Sequence, residues 1–325
     1  MTAISIVMPL YNKAAFVRES VTALAAQLGP HDEIVVVDDV STDNGPALLQ
    51  SLDLANVRLH RMPVNRGPAS ARNAGAAQAH GTHLLFFDAD DLPSPHLLDE
   101  LRHAIESVPA DGVWTFDLAY QAKGEDVDST VHASFAPTVV LERDAFVASV
   151  LVGKPLCTAS STCVRADVFA AAGGFLEGLR YCEDPELWSR LSRQHRIVEI
   201  KRTLAIYRDV PSSLSYGLRA QPGSVDPYVR TLLSLSRVRD DAYRRLAASM
   251  ITRNAVFSVA LGGSRRALQD YLTRVDDLLP PARSRLLRAT ALAPRWLVRA
   301  PLALRSALAR RRARGRLAAS PSQAA

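Results

Sequence analysis

Apolar positions in the first 120 residues fall into two alternating patterns. Short runs read as strands: "ISIVM" at 4–8, "EIVVVDD" at 33–39, "VRLHRM" at 57–62, "HLLFF" at 83–87 and "GVWTFDLAY" at 112–120. The unbroken apolar character of the 33–39 run is that of a strand covered on both faces. Between them lie segments with helical spacing: 17–28, stopped by Gly29-Pro30; 47–52; 68–80, opened by Pro68 at a first helical position; and 95–108. This βαβαβαβαβ order predicts an α/β fold, a mainly parallel sheet flanked by helices. A polar, irregular stretch covers 123–140, and helix and strand signals return over 141–207. Turn residues gather in "PSSLSYGLRAQPGS" at 211–224. Beyond it Leu235, Val238, Ala242, Leu246 and Met250 recur at spacings of three and four, predicting helix through 227–275. The expected organisation is a sheet domain over 1–220, a C-terminal helical extension over 221–280 and a tail over 281–325.

Composition changes this picture mainly through charge. Hydrophobic residues make up 48% of the 325, ample for a packed core, so disorder is not the default. The net charge of +6 is unevenly spread. From Pro281 onward there are 11 arginines, no lysine and no acid, which leaves the first 280 residues at −5. A basic body would suggest nucleic acid; an acidic body with a basic tail instead predicts a separate surface for an anionic partner. Within 283–316, Leu297, Leu304 and Leu308 oppose Arg295, Arg299 and Arg310 on a helical wheel, and Pro294 and Pro301 break the run into two short helices. That composition suits an amphipathic helix on an anionic membrane surface; a solvated terminus is the alternative. Cys157, Cys163 and Cys182 form no CxxC pair, which favours a reduced protein. The N-terminus lacks the basic region and long apolar core of a signal peptide, and no window has the roughly 18 apolar residues of a spanning helix. The expected location is cytoplasmic, peripheral at most on the inner face of the plasma membrane.

The chemistry concentrates in acids at strand ends. Asp38-Asp39 closes one apolar run and Asp88, Asp90 and Asp91 follow another. In open α/β sheets ligands bind outside the carboxyl ends of the strands, so the two clusters can meet at one sheet edge. Capping or solvated loop acids are the ordinary reading of such residues. Three carboxylates in four positions after a buried strand point further, to a divalent cation shared with a phosphorylated ligand. Arg66, Arg72 and Asn73 surround Gly67 near a helix N-terminus, a natural phosphate position, or are ordinary surface residues. Asp184, in "CEDPELW", is either a first-turn helix acid or a general base. The eight histidines show no ligand spacing. No GxGxxG follows the first strand, which argues against a dinucleotide dehydrogenase.

Taken in order, "SIVMPLYN", "VVVDDVSTDN", "NRGPASARNAG", "FFDADD" and "GGFLEGLRYCEDPELWSRL" resemble the family 2 glycosyltransferases over about residues 4–215. The resemblance implies a GT-A (Rossmann-like) fold and a nucleotide-sugar donor, with UDP-type favoured. By it, Pro9 and Tyr11 line the base, Asp39 receives it, and Asp88 reaches the ribose. Asp90, supported by Asp91, binds Mg2+ or Mn2+, and Asp184 is the catalytic base of an inverting transfer. Arg66, Gly67 and Arg72 fall on the donor side, while Glu183 and Trp188 are acceptor-side candidates, Trp188 being equally a core residue. The implied acceptor is a glycan or lipid-linked hydroxyl in cell-envelope polysaccharide synthesis, and no nucleic acid is expected. Two departures stand out: Val40 replaces the family's usual Gly, and the late metal-binding His after "YR" is missing, leaving Asp209 as a substitute. A haloacid-dehalogenase-type phosphatase also uses DxD, but it wants Thr or Val where Leu92 stands. A non-catalytic nucleotide-sugar binder is the alternative of a different class.

Overall fold

The computed structural model describes residues 2–108, 112–121, 126, 134–152, 155–179, 181–208, 210, 221–236 and 241–298. Nine strands form one mixed sheet: β1 (Ile4–Leu10), β2 (Glu33–Asp38), β3 (Val57–Arg61), β4 (His83–Phe86), β5 (Leu92–Pro93), β6 (Val113–Tyr120), β7 (Thr138–Leu141), β8 (Thr162–Arg165) and β9 (Ile197–Tyr207). The order is β3-β2-β1-β4-β8-β6-β9-β5, with β7 also paired to β9. The half β3-β2-β1-β4 is parallel throughout. β8 runs antiparallel to both β4 and β6, and β5 and β7 run antiparallel to β9. The expected parallel core is present, and three short antiparallel strands extend it.

Helices cover both faces. The first six are α1 (Val17–Ala25), α2 (Gly45–Gln50), α3 (Pro68–Gln78), α4 (Leu97–Ser107), α5 (Ala145–Leu151) and α6 (Ala166–Ala171). They are followed by α7 (Glu183–Gln194), α8 (Asp226–Leu235), α9 (Asp241–Ala260), α10 (Arg265–Arg274) and α11 (Pro281–Leu292). The continuous helix expected over 227–275 is therefore three helices. Gly262, at φ +93°, ends α9, and the Gly263 N–H donates back to the Ser258 carbonyl at 2.7 Å, a glycine-stopped C-terminus. Val238 lies outside the described residues.

One sheet face packs Ile4, Ile6, Met8 and Leu85 against Val21, Leu24, Leu98 and Leu101 of α1 and α4. The other face buries Leu84, Phe86 and Val164 together with Trp188, Tyr228, Tyr243, Ile251, Tyr271 and Leu287. The C-terminal helices thus share a core with the sheet. Close approach of α3 to the sheet depends on Gly75, where an added Cβ would lie 2.6 Å from Val7 Cγ1. That contact seats α3 against β1 and β2.

Candidate active site

Strand pairing delivers the acids. Past the last β1–β2 pair, Leu10 with Asp38, the Asp39 N–H donates to the Leu10 carbonyl at 2.8 Å. The Phe87 N–H donates to the Val7 carbonyl at 3.1 Å, which sets Asp88 to Asp91 just beyond the neighbouring strand end. Asn12 ties the first two loops together, its side-chain oxygen accepting the Thr42 N–H at 2.8 Å. Val40, at φ +63°, takes the left-handed conformation in which a β-branched residue is strained. The backbone there has kept a glycine-like shape without the glycine.

These segments border one cavity of about 800 Å³, lined by Pro9, Tyr11, Asp39, Gly67, Arg72, Asp88, Asp90, Asp91, Glu183 and Asp184 among others. Of the residues expected from sequence, Arg66, Asn73 and Trp188 are absent from its wall. The Arg66 side chain is exposed and lies 4.0 Å from Glu177; what it gives the site is its backbone. The N–H groups of Arg66 and Gly67 each donate to an Asp39 carboxylate oxygen at 2.8 Å. The N–H pair ahead of α3 is therefore taken by Asp39 rather than held open for phosphate. Trp188 is 1% exposed and packs against Phe86 and Phe175. It is a core residue, because its position on α7 turns inward to the sheet.

Arg72 is the electrostatic hub. Its buried guanidinium donates to Asp88 at 2.6 Å and to Glu183 at 2.9 Å, and lies 5.4 Å from the Phe175 ring centre. Burial works against its charge, yet the two carboxylates outweigh that and hold its pKa above the usual range. Glu183 is thereby committed to Arg72, and Arg72 positions Asp88 instead of reaching out as a free cation. Asn73 likewise serves the fold: its side chain exchanges two hydrogen bonds with the Phe175 backbone, at 2.8 and 2.9 Å, and so pins the Gly173-Gly174 turn.

Asp90 reaches the cavity and forms an ion pair with Lys13. Asp91 is 1% exposed beneath it, with Oδ1 accepting the Arg208 N–H at 3.1 Å and Oδ2 without a partner. Burial and the neighbouring Asp88 and Asp90 push the Asp91 carboxyl well up. Such a group supports the turn more readily than it offers an ionised oxygen to a metal. Asp184 sits in the first turn of α7, and burial and then Glu183 raise it to about 8, with Arg72 opposing. No group of three or more His, Cys, Asp or Glu among the described residues has the geometry to enclose a metal. The donor set fits a cation on the other usual plan, one or two carboxylates with ligand phosphates completing the shell. Lys13 already marks a cation position on Asp90. The expected substitute ligand Asp209 lies outside the described residues.

Sequence reasoning missed the far wall. Tyr120, Tyr181, Tyr207, Tyr228, Met250 and Arg253 line it, the last three from α8 and α9. No short motif marks them, since they come from separate elements. Lys13 was within reach of the sequence, as a cation directly after "MPLYN". The three cysteines are free and buried.

A mixed α/β sheet with an acid-lined cavity at the carboxyl ends of its parallel strands defines a GT-A fold. Residues 5–135 match the profile of glycosyl transferase family 2, and over this segment the chain is similar to the family 2 glycosyltransferases. The succinoglycan biosynthesis protein ExoO of Rhizobium meliloti is 39% identical over 109 residues, 34% of this chain and 30% of that protein. The putative teichuronic acid biosynthesis glycosyltransferase TuaG of Bacillus subtilis is 27% identical over 218 residues, 65% of this chain and 81% of TuaG. The chain thus spans under a third of one relative and most of the other. The crystal structure of S. aureus TarS 1-349 in complex with UDP-GlcNAc superposes with a TM-score of 0.66 at 20% identity, covering 94% of this chain and 92% of that one. That likeness establishes the fold.

Proposed function

We propose that the chain transfers a sugar from a nucleotide diphosphate, UDP-type favoured, to a hydroxyl of a glycan or lipid-linked acceptor, with inversion, in cell-envelope polysaccharide synthesis. One observation carries this reading: Asp39, Asp88, Asp90 and Asp184, spread over 146 residues of sequence, border a single cavity. The relatives named for succinoglycan and teichuronic acid biosynthesis and the UDP-GlcNAc held by TarS support it.

The charge balance of the wall explains why a cation is needed. Among the described residues six acids line the cavity (Asp39, Asp88, Asp90, Asp91, Glu183 and Asp184) against three bases, Lys13, Arg72 and Arg253. Burial holds Asp91 and Asp184 towards their neutral forms, which leaves the wall without the excess of positive charge that an anionic diphosphate requires. Asp90, with Asp91 supporting the turn beneath it, would hold Mg2+ or Mn2+, and Asp88 would face the ribose; such an ion would neutralise the diphosphate and the charge it gains on leaving. Pro9, Tyr11 and Asp39 form the end of the cavity suited to the base. Asp184 accepts the proton of the attacking acceptor hydroxyl. One base and one displacement invert the anomeric centre, unlike glycosidases, which set two carboxylates about the scissile bond.

Asp184→Asn tests the assignment. Turnover of a UDP-sugar is expected to fall by about 10²- to 10⁴-fold, with UDP affinity within about twofold of wild type. A wild-type protein that binds UDP-sugars but turns none over would instead be the non-catalytic binder. Loss of affinity and turnover together would remove Asp184 from the base role.

A further inference from the structure

The C-terminal helix presents apolar side chains to solvent in a way the donor site does not use. Leu286, Leu292, Trp296 and Leu297 are 66%, 64%, 68% and 48% exposed. They are four of the eleven large apolar residues exposed among the described ones, gathered within twelve positions. α11 is moored through Ser284, Leu287 and Ala291. Its outward face therefore carries Leu286, Ala289 and Leu292, and Trp296 and Leu297 lie in a further helical turn beyond Pro294.

Arginines predominate around this patch, and Asp276 meets α11 at Ser284 and Arg288. Arg288 is 3.2 Å from Asp276, and Arg295 donates to the Gly262 carbonyl at 3.2 Å. Arg283 and Arg285 have no acidic partner among the described residues. The sequence beyond 298 adds seven more arginines and no acid. Exposed leucines beside arginines and a surface tryptophan suit the boundary between lipid headgroups and acyl chains. A single-stranded nucleic acid would call for aromatic platforms along a basic groove, and three of the four apolar residues here are leucines. A second copy placed symmetrically on the patch would bring like charges together.

We propose that residues 283–297 form a docking surface for an anionic lipid bilayer. Leu286, Leu292, Trp296 and Leu297 enter the interface, and Arg283 and Arg285 engage the headgroups. This does not rest on the transfer reading. Of the leucines on the sequence-based helical wheel, Leu297 belongs to this surface, and Leu304 and Leu308 lie outside the described residues.

The test uses the full chain and vesicles of phosphatidylcholine alone or with about one third phosphatidylglycerol. Trp114 and Trp188 are buried, so a shift in tryptophan emission on adding vesicles reports Trp296. A blue shift and at least about tenfold tighter co-sedimentation with the anionic vesicles are expected, weakening with salt. The triple change Leu286→Ser, Leu292→Ser and Leu297→Ser is expected to lower that binding at least about tenfold, with Tm and UDP affinity kept. Arg283→Glu with Arg285→Glu is expected to remove the preference for anionic lipid. The proposal is overturned if wild type ignores anionic vesicles, or if the triple variant binds them as wild type does. It is overturned equally if the triple variant loses only self-association in sedimentation velocity, or if single-stranded oligonucleotide alone produces the Trp296 shift.

Discussion

A carboxyl group that is to accept a proton must first lose its own, and burial opposes that at Asp184. Its pKa of about 8 means that the basic form grows as pH rises through that value. We therefore expect kcat/KM to climb with pH up to about 8 and then level, measured on UDP-sugar turnover at fixed cation. The same shift has a consequence for stability. A carboxyl whose folded pKa lies above its unfolded value of about 3.9 resists ionisation in the fold. Stability is then complete below about pH 4 and declines as pH rises towards 8. Asp184→Asn removes this dependence, so the variant should gain in Tm relative to wild type at pH 9, with no comparable gain at pH 4. A loss relative to wild type at pH 9 would contradict the raised pKa. Arg72 carries the opposite burden. Arg72→Met leaves Asp88 and Glu183 facing each other partly buried, and urea unfolding should show a loss of about 3–5 kcal/mol. A change below about 1 kcal/mol would mean that the two carboxylates are satisfied some other way.

At the scale of elements, the parallel strands β1 to β4 were readable as short runs rich in apolar residues, two of which, β2 and β4, lead into acids. β5, β7 and β8 were not, since two to four residues leave too short a pattern and their pairing is set by distant neighbours. The expected helix over 227–275 failed at Gly262-Gly263, where a helix-period pattern continued through a glycine stop. The seat of α3 depends on a single atom's worth of space. Gly75→Ala should cost about 1–3 kcal/mol, read as a lowered urea midpoint, because Val7 and Val37 stand where the methyl would go. Val40→Gly is expected to be close to neutral in the same measurement. It relieves a positive φ while adding freedom to the unfolded chain, and a large loss would show that the Val40 side chain supports the loop.

Over the whole molecule, the site is made jointly by the sheet and the C-terminal helices. The grouping of Asp39, Asp88, Asp90 and Asp184 on one cavity was legible in the sequence because they sit in recognisable strand-end and helix-start contexts. The far wall was not, because Tyr228, Met250 and Arg253 reach the cavity only through the packing of α8 and α9 on the sheet. Arg66 and Trp188 show the converse limit, as sequence position could not tell which way either side chain turns. Since sheet and helices bury one common core, thermal unfolding followed by near-ultraviolet and far-ultraviolet circular dichroism should give coincident single transitions. Two separated transitions would mean that the helices fold independently. The central claim is that the acids at the strand ends bind a nucleoside diphosphate through a shared cation. Isothermal titration of UDP with and without Mn2+ tests it most directly. Binding should be at least about tenfold tighter with Mn2+, and Asp90→Asn should abolish that gain; UDP binding equally well without the cation, or not at all, would contradict it.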